Sequence, residues 1–585
     1  MPARTNGEIS AAFDELADLY ELDGAVIHRV LAYRTAAKTV REAPRSVADL
    51  TLEGRVKELP GIGATLEEKI RALLDAGTIP AAEKLRAKYP SGLVALTNLP
   101  GLGPKKVRRL WDELGVDSLE ALRTAAEEQR IRGMRGFGAS TEEAVLAALA
   151  ADDAGERRTR VLLSRALGVG QPIVDALRAR GARAELGGSA RRWADSVKDL
   201  DVIAAADDPA ALVATLAGLD VIERVVSAGE NGARAITHSG MPVDLKVVAP
   251  EQFGNLLQHF TGSAAHNIAL RDEAVRRGFH VSEYGLGDPD GKVHQCATEE
   301  EVYALLGMSW IPPELREDRG ELEAAARGEL PDLVEVDDLR GELHCHTVLS
   351  DGRGTIDEMA AAARARGLEY LCFTDHSASH GFGNAVSAGE LAAQIARVRE
   401  ADARHEGIAL LVGSEVNIGL DGGLDYPDEL LAELDWVMAS VHTSFGQDQT
   451  ARIVRAMEHP YVDCIGHLTG RKIETRPPYQ VDVEQIIAAA ARTHTMLEIN
   501  SAPDRRDVND LHARAAAAAG VPIVVNTDAH AVGYFDFARY GIATARRGWL
   551  TAGQVANTRP WAELAPLGKR ARGVGGGGPD PIPGR

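Results

Sequence analysis

Residues 187–203 read GGSARRWADSVKDLDVI. A Gly-Gly-Ser turn with Arg191 and Arg192 close behind presents backbone N–H groups and fixed cations to phosphate oxygens, which makes it a candidate triphosphate cradle. Asp199 and Asp201 follow and run into Val-Ile-Ala. On a strand, side-chain alternation puts both carboxylates on one face and Leu200 on the other. Two converging carboxylates repel unless cations sit between them. Asp244, in MPVDLKVV, lies on a second β-branched run that can pair with the first and bring its carboxylate alongside. Three acids on neighbouring strands are what two divalent ions about 3.5–4 Å apart need to hold the attacking and leaving oxygens of phosphoryl transfer. Asp-x-Asp alone is common on solvated strand ends; the arginine-bearing turn and the third acid set this one apart.

This pattern resembles the palm of the family X DNA polymerases. The resemblance implies that Asp199, Asp201 and Asp244 are catalytic acids holding Mg²⁺ or Mn²⁺, with Asp244 also helping the primer hydroxyl lose its proton. It implies that Gly188, Ser189 and Arg192 contact the triphosphate of an incoming dNTP. Residues 258–286, QHFTGSAAHNIALRDEAVRRGFHVSEYGL, resemble the same family's nucleotide-sensing segment. By that likeness Phe260 and Gly262 lie against the sugar and Asn267 near the base or minor groove, while His259 stands where relatives usually carry tyrosine.

Upstream, the chain is Ala- and Leu-rich in short helical runs punctuated by KELPGIGATLEEKI (57–70), NLPGLGPKKVRRL (98–110) and RGMRGFGAS (132–140). In a helix-hairpin-helix, turn glycines let the backbone approach a DNA phosphate and the next helix offers its N-terminus, contacts that carry no base sequence information. Gly61, Gly63, Gly101 and Gly103 are the glycines of the first two turns, and Lys105, Lys106, Arg108 and Arg109 stack cations behind the second. Residues 26–37, VIHRVLAYRTAA, resemble the phosphate-binding helix of the polymerase beta lyase domain. That likeness implies a 5′-phosphate grip by His28, Arg29 and Tyr33, with Lys69 in the Schiff-base position.

A length of 585 residues is too great for one core and predicts several domains. No apolar run reaches membrane-spanning length and MPARTNGEIS lacks an apolar signal region, so a cytoplasmic protein with no membrane partner is expected. Cys296, Cys345, Cys372 and Cys464 are widely spaced with no CxxC, which argues against a zinc ribbon or a disulfide framework. The net charge of −21 opposes DNA binding, but its distribution does not: residues 1–200 carry +2 and residues 201–335 carry −14. The acid is concentrated away from the hairpins.

From residue 337 β-rich runs alternate with Ala-rich helices: GELHCHT, YLCFTDHS, ALLVGSEVN, DWVMASVHT, DCIGHLTG, MLEIN and PIVVNTDAH. Seven strands, six with polar or ionisable residues at or beyond their C-terminal ends, predict a β/α barrel with its site on that rim. The rim carries His344, His346, Asp351, His376, Glu415, His442, His467, Asp528 and His530, a mixture suited to Zn²⁺, Mn²⁺ or Fe²⁺ and numerous enough for three ions. This half resembles the PHP (polymerase and histidinol phosphatase) domain. The resemblance assigns His344, His346, Glu415 and Asp528 to one ion. It assigns Glu415, His442 and His467 to a second, and Asp351, His376 and His530 to a third.

The expected organisation is a helical lyase-like domain (1–85), a helical helix-hairpin-helix domain (86–155), an α+β nucleotidyltransferase palm (156–250) and a small nucleotide-selecting α/β subdomain (251–315). An acidic, proline-flanked linker (316–336), the seven-stranded, distorted TIM-like PHP barrel (337–570) and a disordered Gly/Pro-rich tail (571–585) complete it. The function expected is gap-filling DNA synthesis in base excision repair on gapped or primer–template DNA, by a monomer, with a Mn²⁺-dependent 3′–5′ exonuclease or phosphoesterase in the barrel; in some family members the resemblance also implies cleavage at abasic sites or removal of 3′-phosphates. Two rivals are a small-molecule phosphatase with an inert polymerase half and a DNA-binding repair scaffold.

Overall fold

Helix starts follow the capping chemistry of the sequence. Thr5 and Glu8 form a reciprocal capping box at the start of helix Asn6–Leu22. Gly63 and Gly103 cap the helices Ala64–Ala76 and Pro104–Leu114, the second with proline in its first turn. The computed structural model describes residues 4–90, 92–97, 99, 102–134, 136–138, 141–143, 145–146, 149, 160–381 and 383–569. Gly101 and the tail 571–585 lie outside the described residues. All four cysteines are buried thiols, and no helix among the described residues is long and apolar enough to cross a membrane.

The chain divides into two compact units. The first comprises residues 1–160, 165–186 and 198–250. Its helical part packs Ile9, Phe13, Leu16, Val40, Ile70, Leu93, Val107 and Leu110 into one core. Its sheet has strands β1 (Arg183–Leu186), β2 (Leu200–Ala205), β3 (Ile222–Gly229), β4 (Gly232–Thr237) and β5 (Pro242–Val248), in the order β1-β2-β5-β4-β3. Strands β2 and β5 are parallel, and Asp201 is the register partner of Asp244. Along β5, Val243, Leu245 and Val247 are buried while Asp244 and Lys246 take the other face, the period-two pattern of a half-buried strand.

The second unit comprises residues 161–164, 187–197 and 251–585. Residues 187–197 therefore group with the barrel, apart from the strands of the palm expected at 156–250. Seven parallel strands succeed one another in chain order: β6 (Gly341–Cys345), β7 (Tyr370–Phe373), β8 (Ala409–Asn417), β9 (Trp436–Ser440), β10 (Cys464–Ile465), β11 (Met496–Asn500) and β12 (Ile523–Asn526). A parallel bridge from Cys345 to Ala529 brings the segment after β12 back to β6. Alternate residues of β9 enter different apolar clusters, Trp436 and Met438 in one and Val437 and Ala439 in the other, as the two faces of a barrel wall require.

The segment expected to be a linker is packed. Arg316 and Glu321 are fully buried, and Leu322, Ala325 and Leu333 join a core with Leu270, Tyr303 and Ile311. Acidic composition suggested solvation, but Glu321 is satisfied internally: its Oε1 lies 2.6 Å from His266 Nδ1 and accepts from Asp318 N at 2.8 Å.

Candidate active sites

The barrel rim converges on Glu415, which β8 carries in register with Met438. Its Oε2 lies 2.8 Å from His376 Nδ1 and 3.3 Å from His344 Nε2; its Oε1 lies 2.9 Å from His467 Nε2 and 3.1 Å from His442 Nε2. Asp528 Oδ1 stands 3.1 Å from His346 Nε2 and 3.5 Å from His344 Nε2. Asp351 Oδ1 faces His530 Nε2 at 3.2 Å and His376 Nε2 at 3.6 Å. Ligand atoms within 4.8 Å of one another form three groups: His344, His346 and Asp528; His376, Glu415 and His442; and His346, Asp351, His376 and His530. These groups differ from the three expected sets: Glu415 is absent from the group of His344, His346 and Asp528, His467 is in none of the three, and His346 and His376 are each shared between two.

Several of these atoms are buried with no hydrogen-bond partner: His344 Nε2, His346 Nδ1 and both oxygens of Glu415. Buried polar atoms are normally satisfied, so converging, unsatisfied donors of this mixture fit divalent cations. Burial opposes the charge of Glu415, yet the surrounding imidazoles, His442 and His344 foremost, hold its carboxyl well below the usual range. Burial together with His530 and His376 pushes His346 down to about 3. His467 and Asp528 both adopt positive φ, at 26° and 53°, a costly conformation that fixes where these ligands point.

Three acids missed by sequence reading brace the rim. Glu498 on β11 lies 2.7 Å from His344 Nδ1 through Oε1 and accepts from His467 N at 2.7 Å through Oε2. Asp375 accepts from Thr347 N and Ser350 Oγ at 2.8 and 2.6 Å, fixing the loop after His346. Glu342 joins β6 to the end of β12 through Thr527, and burial pushes its carboxyl up to about 8. The available signal was an acid inside an otherwise apolar buried strand, as in MLEIN.

On the palm, the register of β2 and β5 sets Asp201 beside Asp244, with Asp199 exposed at the approach to β2. Asp244 is paired with Arg234 at 3.4 Å and Lys246 at 3.6 Å. The three acids do not close to the 4.8 Å spacing of the rim groups.

In the second unit, Gly188 has φ of 56° and opens a short helix carrying Ser189. The two arginines behind it are held differently. Arg191 makes a bidentate pair with Glu299 at 2.8 and 2.9 Å, while Arg192 donates to Glu317 at 3.0 Å and to Thr261 O at 2.8 Å. Asn267 donates to His259 O at 2.8 Å, bracing the turn at Gly262, where a Cβ would meet Asn267 Oδ1 at 2.5 Å. Phe260 is half-buried beside the His259 ring.

Among the hairpin cations, Lys105 is exposed, whereas Arg108 turns inward to Asp112 at 2.8 Å and Leu22 O at 3.1 Å. Arg109 pairs with Glu113, and both Arg109 and Lys106 lie over Phe137. Gly61 has φ of 79°, and open space surrounds Gly63 and Gly103. Tyr33 is buried, which with Tyr20 pushes its hydroxyl up to about 12; Lys69 Nζ lies 6.0 Å from its ring centroid. Arg29 sits over Tyr20, and His28 is exposed.

The comparisons with known proteins follow this geometry. Residues 256–317 match the DNA polymerase beta thumb, 4–79 a helix-hairpin-helix domain, 93–151 a SAM-like helix-hairpin-helix tandem and 342–502 the PHP domain. The DNA polymerase/3′-5′ exonuclease PolX of Bacillus subtilis is 36% identical over 571 residues, covering 96% of this chain and 99% of that protein. The chain belongs to the PolX family. Probable phosphatases of Thermoanaerobacter and Acetivibrio thermocellus are each 31% identical over 258 and 210 residues, covering 40% and 33% of this chain and 97% and 82% of their own. Likeness to small phosphatases thus extends over only part of this chain, and likeness to PolX over nearly all of it.

Proposed function

We propose that Asp199, Asp201 and Asp244 hold the divalent ions of nucleotidyl transfer, and that the nine rim ligands hold two to three Mn²⁺, Zn²⁺ or Fe²⁺ ions for hydrolysis of a DNA 3′ end. The chain is a DNA polymerase with 3′–5′ exonuclease activity. Its substrates in this reading are gapped or primer–template DNA and dNTPs. The hairpins contact backbone phosphate, Gly188, Ser189 and Arg192 contact the triphosphate, and Phe260, Gly262 and Asn267 form the sugar and base side of the nucleotide subsite. Lys69, His28, Arg29 and Tyr33 would face a 5′-phosphate.

One observation carries the pairing of activities: two acid-bearing centres stand in one chain, Asp201 beside Asp244 on paired strands and Glu415 ringed by four imidazoles. Divalent ions bound at such centres supply Lewis acidity toward phosphate oxygens and lower the pKa of water. Glu498 holds His344 with Nε2 turned toward Glu415 and Asp528, and burial of His344, His346 and Glu415 shields that part of the rim from bulk water. The test is product length on 5′-labelled gapped DNA with Mn²⁺, with and without dNTPs. Asp244→Ala should lose extension and keep degradation, and His344→Ala should do the reverse. Equal extension by wild type and Asp244→Ala would refute the palm assignment.

A further inference from the structure

Arg505 lies between β11 and helix Asp510–Ala518, beside the rim ligand Asp528. Its side chain is 14% exposed, with Nε 3.8 Å from Asp528 Oδ2. Its Nη1 is buried and meets no hydrogen-bond acceptor. A guanidinium carries five donors in a rigid fork, and a buried charged donor without an acceptor is costly. The loop does not leave this side chain to wander. Asn500 N donates to Asp507 O at 2.6 Å, Val508 N to Glu498 O at 2.9 Å, Thr469 N to Asp507 Oδ2 at 2.9 Å and Arg471 Nε to Arg505 O at 2.8 Å.

Holding Asp528 does not account for Arg505. Asn500 Nδ2 already donates to Asp528 Oδ2 at 3.0 Å, and 3.8 Å is beyond hydrogen-bond range. The neighbouring arginines are committed elsewhere. Arg471 pairs with Asp195 at 2.9 Å, and Arg476 donates to Gly470 O while covering Phe445. Arg506 also has buried Nη1 and Nη2 without hydrogen-bond partners, but it is wholly enclosed, with Nε on Thr544 and Nη1 3.4 Å from Asp195, so Arg505 is the one of the two with an exposed edge beside Asp528. Only three of the nine rim ligands are carboxylates, Asp351, Glu415 and Asp528. With Glu498 behind His344, two divalent ions would be balanced and three would leave the loaded centre net positive, so a guanidinium beside a three-ion centre calls for a shared anion.

The geometry points to Arg505 as a further catalytic residue of 3′–5′ hydrolysis, its Nη1 gripping a non-bridging oxygen of the terminal phosphodiester. In that reaction a water oxygen bonds to phosphorus, the P–O3′ bond breaks and the 3′ oxygen takes the proton. The products are a nucleoside 5′-monophosphate and a shortened strand. Arg505 exchanges no proton; it stabilises charge that grows on the phosphate oxygens.

This inference rests on the rim being the hydrolytic centre, so the experiment carries a His344→Ala control. Full-length Arg505→Met and Arg505→Lys are compared with wild type for Mn²⁺-dependent exonuclease, bound metal per chain after gel filtration, inhibition by dTMP and primer extension. The expected result is an exonuclease kcat/KM reduced about 100-fold or more in Arg505→Met. Metal content and extension should stay unchanged, dTMP inhibition should weaken, and Arg505→Lys should recover part of the loss. Unchanged exonuclease in Arg505→Met with a dead His344→Ala overturns the role of Arg505 alone. Retained exonuclease in His344→Ala overturns the rim reading itself. Loss of metal in parallel with activity makes Arg505 a ligand support and overturns the phosphate contact. Should Arg505→Met also lose extension through misfolding, Arg505→Lys decides: wild-type exonuclease and dTMP inhibition there overturn the inference, because a point charge lacks the fork that the contact uses.

Discussion

His344 Nδ1 and Glu498 Oε1 stand 2.7 Å apart with both residues wholly buried, so the ring nitrogen facing the rim centre is fixed by a carboxylate behind it. Such partners orient a ligating imidazole and raise its basicity, and losing one typically costs 10- to 100-fold in metal affinity or activity. Glu498 also accepts from His467 N and Asn526 Nδ2. Glu498→Gln should therefore lower exonuclease activity at limiting Mn²⁺ by about tenfold or more, be partly rescued by excess Mn²⁺, and leave extension intact. Titration of activity against Mn²⁺ checks this; an unchanged Mn²⁺ dependence would count against it.

Lys105 and Arg108 occupy neighbouring turns of one helix and should fail in different ways. Lys105 is exposed behind the Gly103 turn, so Lys105→Ala should weaken DNA binding equally across sequences and reduce the salt slope of log K by about 1. Arg108 is tied to Asp112 and Leu22 O and lies over Tyr89 and Trp111. Arg108→Ala should instead lower thermal stability with little change in salt slope. Fluorescence anisotropy at several salt concentrations, beside melting curves, separates the two.

These contrasts show where the sequence was legible. Strand alternation and i, i+2 spacing anticipated that Asp201 and Asp244 lie side by side and that His344, His346 and Asp528 converge, because period-two geometry and parallel order translate directly into position. The internal partners of Arg108, Arg192 and Asn267 were not legible. A cation or amide reads alike in sequence whether it faces a phosphate or a carbonyl many residues away, and Arg192 donating to Thr261 O is such a case. Residues 316–336 failed for a related reason: acid content suggested a solvated linker, but Arg316 and Glu321 found partners far along the chain and were buried with them.

Glu299 ties Arg191 to Arg316, which is fully buried. Burial opposes its charge, but the two guanidinium groups, Arg316 first, pull its carboxyl down to about 2 from 4.5. A depressed folded-state pKa stabilises the fold above the unfolded value. The contribution is complete above about pH 4.5 and is lost as pH falls toward 2, worth about 3 kcal/mol at 1.36 kcal/mol per unit. Glu299→Gln leaves two buried cations undercompensated and should destabilise this unit at pH 7 by about 3–5 kcal/mol. It should also flatten the acid limb of the stability profile. Urea unfolding from pH 7 down to pH 3 measures both effects, and a variant with an acid limb as steep as wild type would contradict them.

The two centres differ in access, and chelation should expose that difference in time. Asp199 is exposed and Asp201 and Asp244 are half-buried, so ions there exchange directly with solvent. His344 and His346 are fully buried and Glu415 is 1% exposed, so an ion held among them leaves only when neighbouring side chains move, whereas one beside Asp351 and His530, 24% and 26% exposed, exchanges as readily as at the palm. A short EDTA pulse followed by excess Mg²⁺ should restore extension at once, with Mn²⁺-dependent degradation still largely retained. Longer exposure should empty the rim, abolish degradation and lower the melting temperature, because loss of an ion held at 1,000 times its Kd removes about 4 kcal/mol. Sampling both activities and bound metal along one chelation time course tests this; a single shared decay for both would show that burial of the rim ligands does not govern ion exchange.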